Sequence, residues 1–191
     1  MNGGHDTSEA SEYALLKKVK VGDKAAFDKV VSPLLPQLLA LSRRMLGSVS
    51  EAEDAVQNAL ASVWLARSKL DPRRPVAAYL TTVTLNKSRD ALRRRKLIRF
   101  IGIGGSDAEL SIADEDPDAA TLVADRQVLS IVQQAIDRLP LRLRESLVLV
   151  TIEGRSQREV ADLLGVSEKT VETRVYRARR RLEDHLKKFE G

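Results

Sequence analysis

The side chains most capable of chemistry in this sequence are the cations near its C-terminus. Between residues 169 and 188 only Glu172, Glu183 and Asp184 oppose a cluster made of Lys169, Arg174, Arg177, Arg179, Arg180, Arg181, Lys187 and Lys188. Guanidinium and ammonium groups pair with phosphate, so a helix this rich in them is the electrostatic footprint of a DNA-reading element. The segment is therefore the first candidate for a nucleic-acid interface.

Two predicted helices position these cations. Ser156 and Glu159 form a capping box that begins the first helix, Gly165 suits its left-handed end, and Ser167 can cap the second helix. Two helices joined by a short turn with glycine form a helix-turn-helix unit. We predict that its shared core contains Val160, Leu164, Val166, Val171 and Val175. An ordinary helical hairpin is the alternative, and the charge of the second helix argues against it.

The contacts of the second helix can be divided by position. Early residues of a recognition helix meet base edges, whereas flanking cations hold phosphates. Thr173, Tyr176 and Arg177 share one helix face and are predicted to touch bases. The predicted phosphate contacts are Lys169, Arg174, Arg179 and Arg180. A solvated basic face explains about half of these individual assignments equally well.

A second basic cluster lies in the first half of the chain. It is opposed only by Asp90 and contains Lys87, Arg89, Arg93, Arg94, Arg95, Lys96 and Arg99. Cations near a helix C-terminus interact favourably with the helix dipole, which accounts for two or three of them but not for seven. The cluster predicts a second nucleic-acid surface.

Composition argues against several other classes of protein. The formal net charge is +5, there is no cysteine, and the histidines are His5 and His185. We find no nucleophile-base pattern, phosphate loop, metal-ligand cluster or cofactor motif, so an enzyme is not expected. No run of about 18 apolar residues suggests membrane insertion. A cytoplasmic protein is expected.

The periodicity of apolar residues predicts an all-α fold. Pro33 and Pro36 should split one helix, and Gly47 can end it. Ser50 and Glu53 form a second predicted capping box. A glycine-containing, acidic stretch then predicts a flexible linker at residues 100–120, between small helical domains at 1–99 and 121–191.

The order of these features resembles one family. GDKAAFDKV, EAEDAVQNALASVW and YLTTVTLNKSRDALRRRK look like the second conserved region of extracytoplasmic-function (ECF) sigma factors. The C-terminal segment AIDRLPLRLRESLVLVTIEGRSQREVADLLGVSEKTVETRVYRARRRL looks like their fourth conserved region. The resemblance covers nearly all of the chain apart from the N-terminal tail and the linker.

The resemblance implies partners and roles. Region 2 of such factors grips the β′ clamp helices of RNA polymerase core, here through Asp54, Gln57, Leu60 and Trp64. It also captures the minus-ten promoter element, here through Asn86, Arg89, Arg93 and Arg94, and the loop at residues 69–75 matches the site that receives a flipped base. Region 4 binds the minus-thirty-five element and the polymerase β flap. An anti-sigma factor is expected as inhibitor.

The alternative is a helix-turn-helix repressor or activator that binds an operator as a dimer, without core polymerase. It accounts for the C-terminal half of the chain. It leaves the AEDAVQ motif and the second basic cluster unexplained.

Overall fold

The computed structural model describes the backbone of residues 4–101 and 121–187. All regular secondary structure in these two stretches is helical, which confirms the all-α prediction. The helices are α1 (Gly4–Lys20), α2 (Lys24–Val31), α3 (Leu35–Leu46), α4 (Val49–Leu65), α5 (Val76–Ile101), α6 (Thr121–Asp137), α7 (Leu141–Leu147), α8 (Gln157–Leu164) and α9 (Glu168–Leu186).

The two prolines divide the first unit as predicted. A short 3₁₀ turn at Ser32–Leu34 separates α2 from α3, with Pro33 in its first turn and Pro36 in the first turn of α3. Proline lacks an amide hydrogen and fits at the start of a helix, but it interrupts an interior. Gly47 ends α3 with a φ of 69°, as expected of a left-handed C-terminal residue.

The predicted capping box at Ser50 is wrong. Helix α4 begins two residues earlier, and the extended Ser48 accepts a hydrogen bond from the amide of Glu51 through its Oγ. The connection after Gly47 is so short that Ser48 takes the capping position, which places Ser50 inside the first turn. The new start leaves the apolar face unchanged, with Ala52, Val56 and Val63 buried.

Helix α5 is longer than the sequence suggested. The spacing of apolar residues after Pro75 predicts a helix that ends near Lys96, but α5 continues to Ile101, so the first two residues of the predicted linker are helical. The extension carries the apolar residues Leu97, Ile98 and Phe100, and it stops before the first glycine of the stretch, Gly102. The remaining linker, at residues 102–120, lies outside the described residues.

The second unit contains a local change of helix type. The strongly apolar run from Leu143 to Ile152 predicts one helix, whereas α7 gives way to a π-helical turn over Val148–Ile152. The amide of Glu153 donates to the carbonyl of Val148, and the Thr151 hydroxyl donates to the carbonyl of Leu147. This wider turn brings the chain to the start of the helix-turn-helix.

Two hydrophobic clusters stabilise the described fold. The first lies within the N-terminal unit, between α1, α2, α3, α4 and the start of α5. The second joins both units, because Leu41, Met45, Leu46, Ala55 and Leu85 pack in the same cluster as residues of the C-terminal unit, among them Leu139, Leu147, Val148, Leu149, Val160, Val171, Val175 and Ala178. The two helical units therefore form a closed arrangement with a shared core.

The turn of the helix-turn-helix gives a first testable prediction. Gly165 has a φ of 65°, and a Cβ added there would have open space around it. Only the left-handed backbone would oppose a side chain, so Gly165→Ala should lower the free energy of unfolding by about 1–2 kcal/mol. Urea denaturation measures this loss. Gly165→Asn should lower the free energy of unfolding by less, since asparagine tolerates the left-handed conformation. An equal loss for both variants would contradict the explanation.

Candidate nucleic-acid interface

The helix-turn-helix forms as the sequence predicted. The Oγ of Ser156 accepts from the amide of Glu159 at 3.2 Å, and the Glu159 carboxylate accepts from the amide of Ser156 at 2.8 Å. The Ser156 hydroxyl also donates to the Glu159 carboxylate at 2.7 Å, and this bond, together with the one from the Ser156 amide, lowers the pKa of Glu159. Ser167 caps α9 by accepting from the amide of Thr170 at 3.2 Å. The N-terminus of each of the two helices is thus fixed by local hydrogen bonds.

Helix α9 has one buried and one exposed face. Val171, Val175 and Ala178 are buried against α7 and α8. At helical spacing the opposite face carries Thr173, Tyr176, Arg177 and Arg180. Tyr176 is 63% exposed, and both arginines are exposed. The structure therefore brings the three predicted base-reading residues together on the outer surface of the protein.

The other predicted contacts of α9 differ in their surroundings. Arg179 is exposed, whereas Arg174 is half-buried beside the packed face. The ammonium group of Lys169 lies 2.9 Å from a carboxylate oxygen of Glu172, one helical turn away. The Thr173 hydroxyl donates its hydrogen to the carbonyl of Lys169 at 2.8 Å. The Thr173 oxygen can then still accept a hydrogen bond from a base.

The predicted minus-ten residues of α5 are not equivalent. Asn86 is exposed and accepts from Arg89 at 2.7 Å. The same arginine forms a two-pronged ion pair with Glu145 of α7, with distances of 2.5 Å and 3.1 Å. Hydrogen bonding to Glu145 raises the pKa of Arg89, which outweighs the opposing effect of its partial burial. In this arrangement a predicted DNA contact is engaged by the other helical unit.

The remaining cations of α5 divide in the same way. Arg93 and Arg94 are exposed, and Arg93 lies 3.4 Å from Asp90 in a surface pair. Arg95 instead donates to the carbonyl of Leu46 at 2.9 Å and pairs with Glu51. Arg93 and Arg94 therefore remain accessible, whereas Arg95 supports the packing of α5 on α3 and α4.

A cavity lies at the loop predicted to receive a flipped base. It measures about 340 Å³ and is lined by Leu16, Lys69, Leu70, Asp71, Arg74, Val76 and Tyr79. Glu12 of α1 accepts from the amide of Val76 at 2.9 Å and so fixes the start of α5 beside this cavity. The lining combines apolar side chains, one aromatic ring, Lys69 and an Arg74 that lies 3.6 Å from the Asp71 carboxylate, and the apolar and aromatic part suits an unstacked base.

The predicted polymerase-binding residues of α4 differ in their exposure. Asp54 and Gln57 are exposed, whereas Leu60 and Trp64 pack partly against the first hydrophobic cluster. Trp64 lies 5.3 Å from the ring of Phe27, and the guanidinium of Arg67 covers it at 4.7 Å. Their surroundings favour a supporting role for Trp64.

Sequence reasoning missed one residue of this helix. Leu65 is 79% exposed and lies at helical spacing from Asp54 and Gln57 through Ala61. An apolar side chain that stays exposed at the end of a polar stripe is a candidate contact for a protein partner. Its apolar side chain concealed it, whereas its helical spacing from Asp54 and Gln57 is the signal that could have found it.

The boundary between the two units contains buried polar groups. Arg144 of α7 donates to the carbonyl of Met45 in α3 at 2.6 Å and lies 3.2 Å from the carboxylate of Asp137. Burial lowers the pKa of Arg144 and raises that of Asp137, so burial outweighs their mutual attraction. Burial also raises the pKa of Glu153, which Gln37 and Arg155 partly oppose. Arg155 donates to the hydroxyl of Thr81 at 2.9 Å.

Among the residues that the structure describes, no group of histidine and acidic side chains is placed to hold a metal ion. His185 is half-buried, and its Nε2 lies 2.9 Å from a guanidinium nitrogen of Arg138. His5 belongs to the part of α1 whose side chains are not described. In the same described ranges, every helix is too short or too polar to cross a membrane.

Two family models match the two helical units. Sigma-70 region 2 matches residues 30–98, and Sigma-70, region 4 matches residues 129–182. The first range contains the α4 and α5 site residues, and the second contains α8, the turn and every predicted site residue of α9. The models therefore divide the chain as its two basic clusters do.

Similar proteins extend over almost the whole chain. The RNA polymerase sigma factor CnrH of Cupriavidus metallidurans is 32% identical over 178 residues, which are 91% of this chain and 93% of CnrH. The ECF RNA polymerase sigma factor SigM of Mycobacterium tuberculosis is 32% identical over 180 residues, 94% of this chain and 85% of SigM. In both relatives the similarity to this chain extends across both helical units.

Solved structures show the same arrangement of helices. CnrH in complex with the cytosolic domain of CnrY has a TM-score of 0.65 at 29% identity, covering 93% of this chain and 97% of that one. The sigma factor RpoE of Bartonella quintana, in complex with the anti-sigma factor NepR, has a TM-score of 0.66 at 26% identity. The match covers 84% of this chain and 96% of RpoE. Together with the two family models, these likenesses show that the chain belongs to the ECF family of sigma-70 RNA polymerase sigma factors.

Proposed function

We propose that the two basic surfaces of this sigma factor read the two promoter elements in different forms of DNA. The observation that carries this division is the exposed face of α9, where Thr173, Tyr176 and Arg177 stand opposite the packed core of the helix-turn-helix. A helix presented in this way enters the major groove of a duplex, so α9 reads the minus-thirty-five element.

The surface on α5 takes the minus-ten element as a single strand. Arg93 and Arg94 are exposed for phosphate contacts, and Asn86 and Arg89 lie in direct contact on the same helix. The cavity beside Tyr79 can accept one unstacked base, whose edges a duplex would hide. The exposed side chains of Asp54 and Gln57 bind the β′ clamp helices of the polymerase, and Leu60 and Trp64 support that helix from beneath.

Two solved relatives are complexes with a second protein, which supports regulation by a partner. RpoE is bound by an anti-sigma factor, and CnrH is bound by the cytosolic domain of CnrY. By analogy, an anti-sigma factor holds this chain until it is released. Core polymerase then binds region 2 and, through the β flap, region 4.

The chain supplies no covalent chemistry under this proposal. RNA synthesis belongs to the polymerase, and the chain contributes promoter recognition and strand capture. Its place of action is then the cytoplasm, where polymerase meets the chromosome.

The division between strands can be tested on promoter fragments bound by the holoenzyme. Thymines that become unpaired react with permanganate, so Arg93→Ala with Arg94→Ala should reduce reactivity at the minus-ten element. Protection of the minus-thirty-five duplex should persist, since α9 is unchanged. Equal loss at both elements would contradict the assignment of α5 to the single strand.

A further prediction concerns base reading by Arg177. If its guanidinium meets a guanine edge, Arg177→Ala costs about 1–3 kcal/mol at the matching base pair and relaxes preference there. Duplex binding by the full chain, measured across single-base variants of the minus-thirty-five element, reveals this loss. The outer face of α9 is exposed in the free chain, so polymerase is not needed.

Arg180 provides the matched control, because it lies on the same face and is assigned to a phosphate. Arg180→Ala should weaken all sequences equally and reduce the slope of log affinity against log salt by about one unit. A sequence-independent loss for Arg177→Ala would show that Arg177 also holds only a phosphate.

A further inference from the structure

We propose that the free sigma factor inhibits itself through a clasp between its two units, in which Glu145 of α7 neutralises the minus-ten residue Arg89 of α5. The inference rests on the proposed role of α5 in strand capture. It differs from inhibition by a partner protein, because every group involved belongs to this chain.

The ion pair has the geometry of a specific contact. Both nitrogens of the Arg89 fork that face Glu145 bind a carboxylate oxygen, at 2.5 Å and 3.1 Å. The Glu145 side chain is only 5% exposed, and that of Arg89 is 26% exposed. A paired guanidinium in this position cannot also bind a DNA phosphate, so the pair and the promoter strand compete for Arg89.

Two further contacts hold the same boundary closed. Arg155, at the end of the π-helical turn region, donates to Thr81 of α5 at 2.9 Å. Arg144 donates to the carbonyl of Met45 in α3 at 2.6 Å, next to apolar residues shared by both units. The contacts lie along one side of α3 and α5, which ties the C-terminal unit to the strand-capture helix.

The closed form is too small to bind both promoter elements at once. Elements centred about 25 base pairs apart are separated by roughly 85 Å of duplex, at about 3.4 Å per step. A compact chain of this length has a radius of gyration of about 16 Å, hence a diameter near 40 Å. Promoter binding therefore requires the units to separate, which breaks the Arg89–Glu145 pair.

The two reading surfaces are affected differently by closure. The α9 face with Tyr176 and Arg177 remains exposed, whereas Arg89 is engaged. The free chain should therefore bind duplex DNA through α9 but bind single-stranded DNA weakly. This asymmetry gives the clasp a signature that a general loss of structure would not produce.

The test uses the full chain with two labels and two probes. Because the protein contains no cysteine, Lys29→Cys and Glu183→Cys, both at exposed positions, place one spin label on each unit. Electron–electron resonance measures the distance between the labels. Binding is measured with a mixed-sequence single-stranded 20-mer and with the corresponding mixed duplex.

Two variants should open the clasp. Glu145→Gln removes the negative charge that pairs with Arg89, and Thr81→Val removes the hydroxyl of α5 that accepts from Arg155. Both variants should broaden the label distances to longer values and bind the single-stranded probe more tightly, by roughly tenfold for Glu145→Gln. Duplex affinity should stay near that of the parent. Asp162→Asn, at an exposed position of α8, controls for the lost negative charge.

The proposal is overturned if both variants keep the parent distances, or if the distances lengthen without a gain in single-strand affinity. It is also overturned if Asp162→Asn gains as much single-strand affinity as Glu145→Gln. The outcome is separate from the proposed function, because transcription by the parent chain with core polymerase is measured independently. If the parent chain directs transcription but the variants change neither the label distances nor the single-strand affinity, only the clasp is refuted.

Discussion

Arg144→Met should lower the free energy of unfolding by about 3–5 kcal/mol, a large part of the stability of a domain this size. The guanidinium is buried at 6% exposure and donates to the carbonyl of Met45. Its loss leaves the carboxylate of Asp137, which is 16% exposed, without its cationic partner. Urea denaturation followed by circular dichroism measures the effect.

The same variant should depend on pH in a defined direction. Burial already raises the pKa of Asp137, and removing Arg144 removes an interaction that lowers it. A carboxyl with a raised folded pKa favours the folded state below its unfolded pKa and loses that contribution as pH rises through the folded value. The deficit of Arg144→Met should therefore be smaller at pH 4 than at pH 7.

Arg142→Met is the matched control, since Arg142 lies on the same helix but is exposed. It should change the free energy of unfolding by less than about 0.5 kcal/mol. Equal losses for the two arginines would show that burial of Arg144 between the units contributes nothing.

Asp54→Ala combined with Gln57→Ala should weaken binding to core polymerase by at least about tenfold. Both side chains are exposed on one stripe of α4, and neither packs in a hydrophobic cluster. Truncating them removes polar contacts with the partner while leaving the buried face of the helix unchanged. Fluorescence titration of labelled chain with core enzyme measures the loss.

Two controls accompany the double variant. Glu53→Ala removes an exposed charge from the same helix, at a position that faces Arg43 at 4.0 Å, and should leave core affinity near that of the parent. Duplex binding through α9 should persist in the double variant, which shows that the chain is folded. Unchanged core affinity in a folded double variant would contradict the assignment of this stripe.

The helix-turn-helix was predictable almost to the residue because its signals are local. The box of Ser156 and Glu159, the left-handed Gly165 and the cap at Ser167 each act within four residues of chain. Such signals do not depend on distant packing. The same reasoning misplaced the start of α4, since Ser48 and Ser50 are both capable caps and only the short connection after Gly47 decides between them.

The joining of the two units could not be predicted in this way. Arg89 and Glu145 are 56 residues apart, and no periodicity links them. Glu145 reads in the sequence as one of three charged residues in α7, beside Arg142 and Arg144, whereas the structure buries it and pairs it with Arg89 of α5. The sequence therefore predicted Arg89 as a DNA contact but gave no sign that another part of the chain occupies it.

Transcription in vitro with core polymerase tests the central claim most directly. The full chain and core enzyme are incubated with nucleotides and a library of promoter-sized DNA fragments, and the transcripts are sequenced. A sigma factor of this family should yield transcripts from a subset of fragments that share two elements at fixed spacing, and core alone should not. Sequence-specific duplex binding by a dimer of the chain, with no transcript above the level of core alone, would contradict the account and favour an operator-binding regulator.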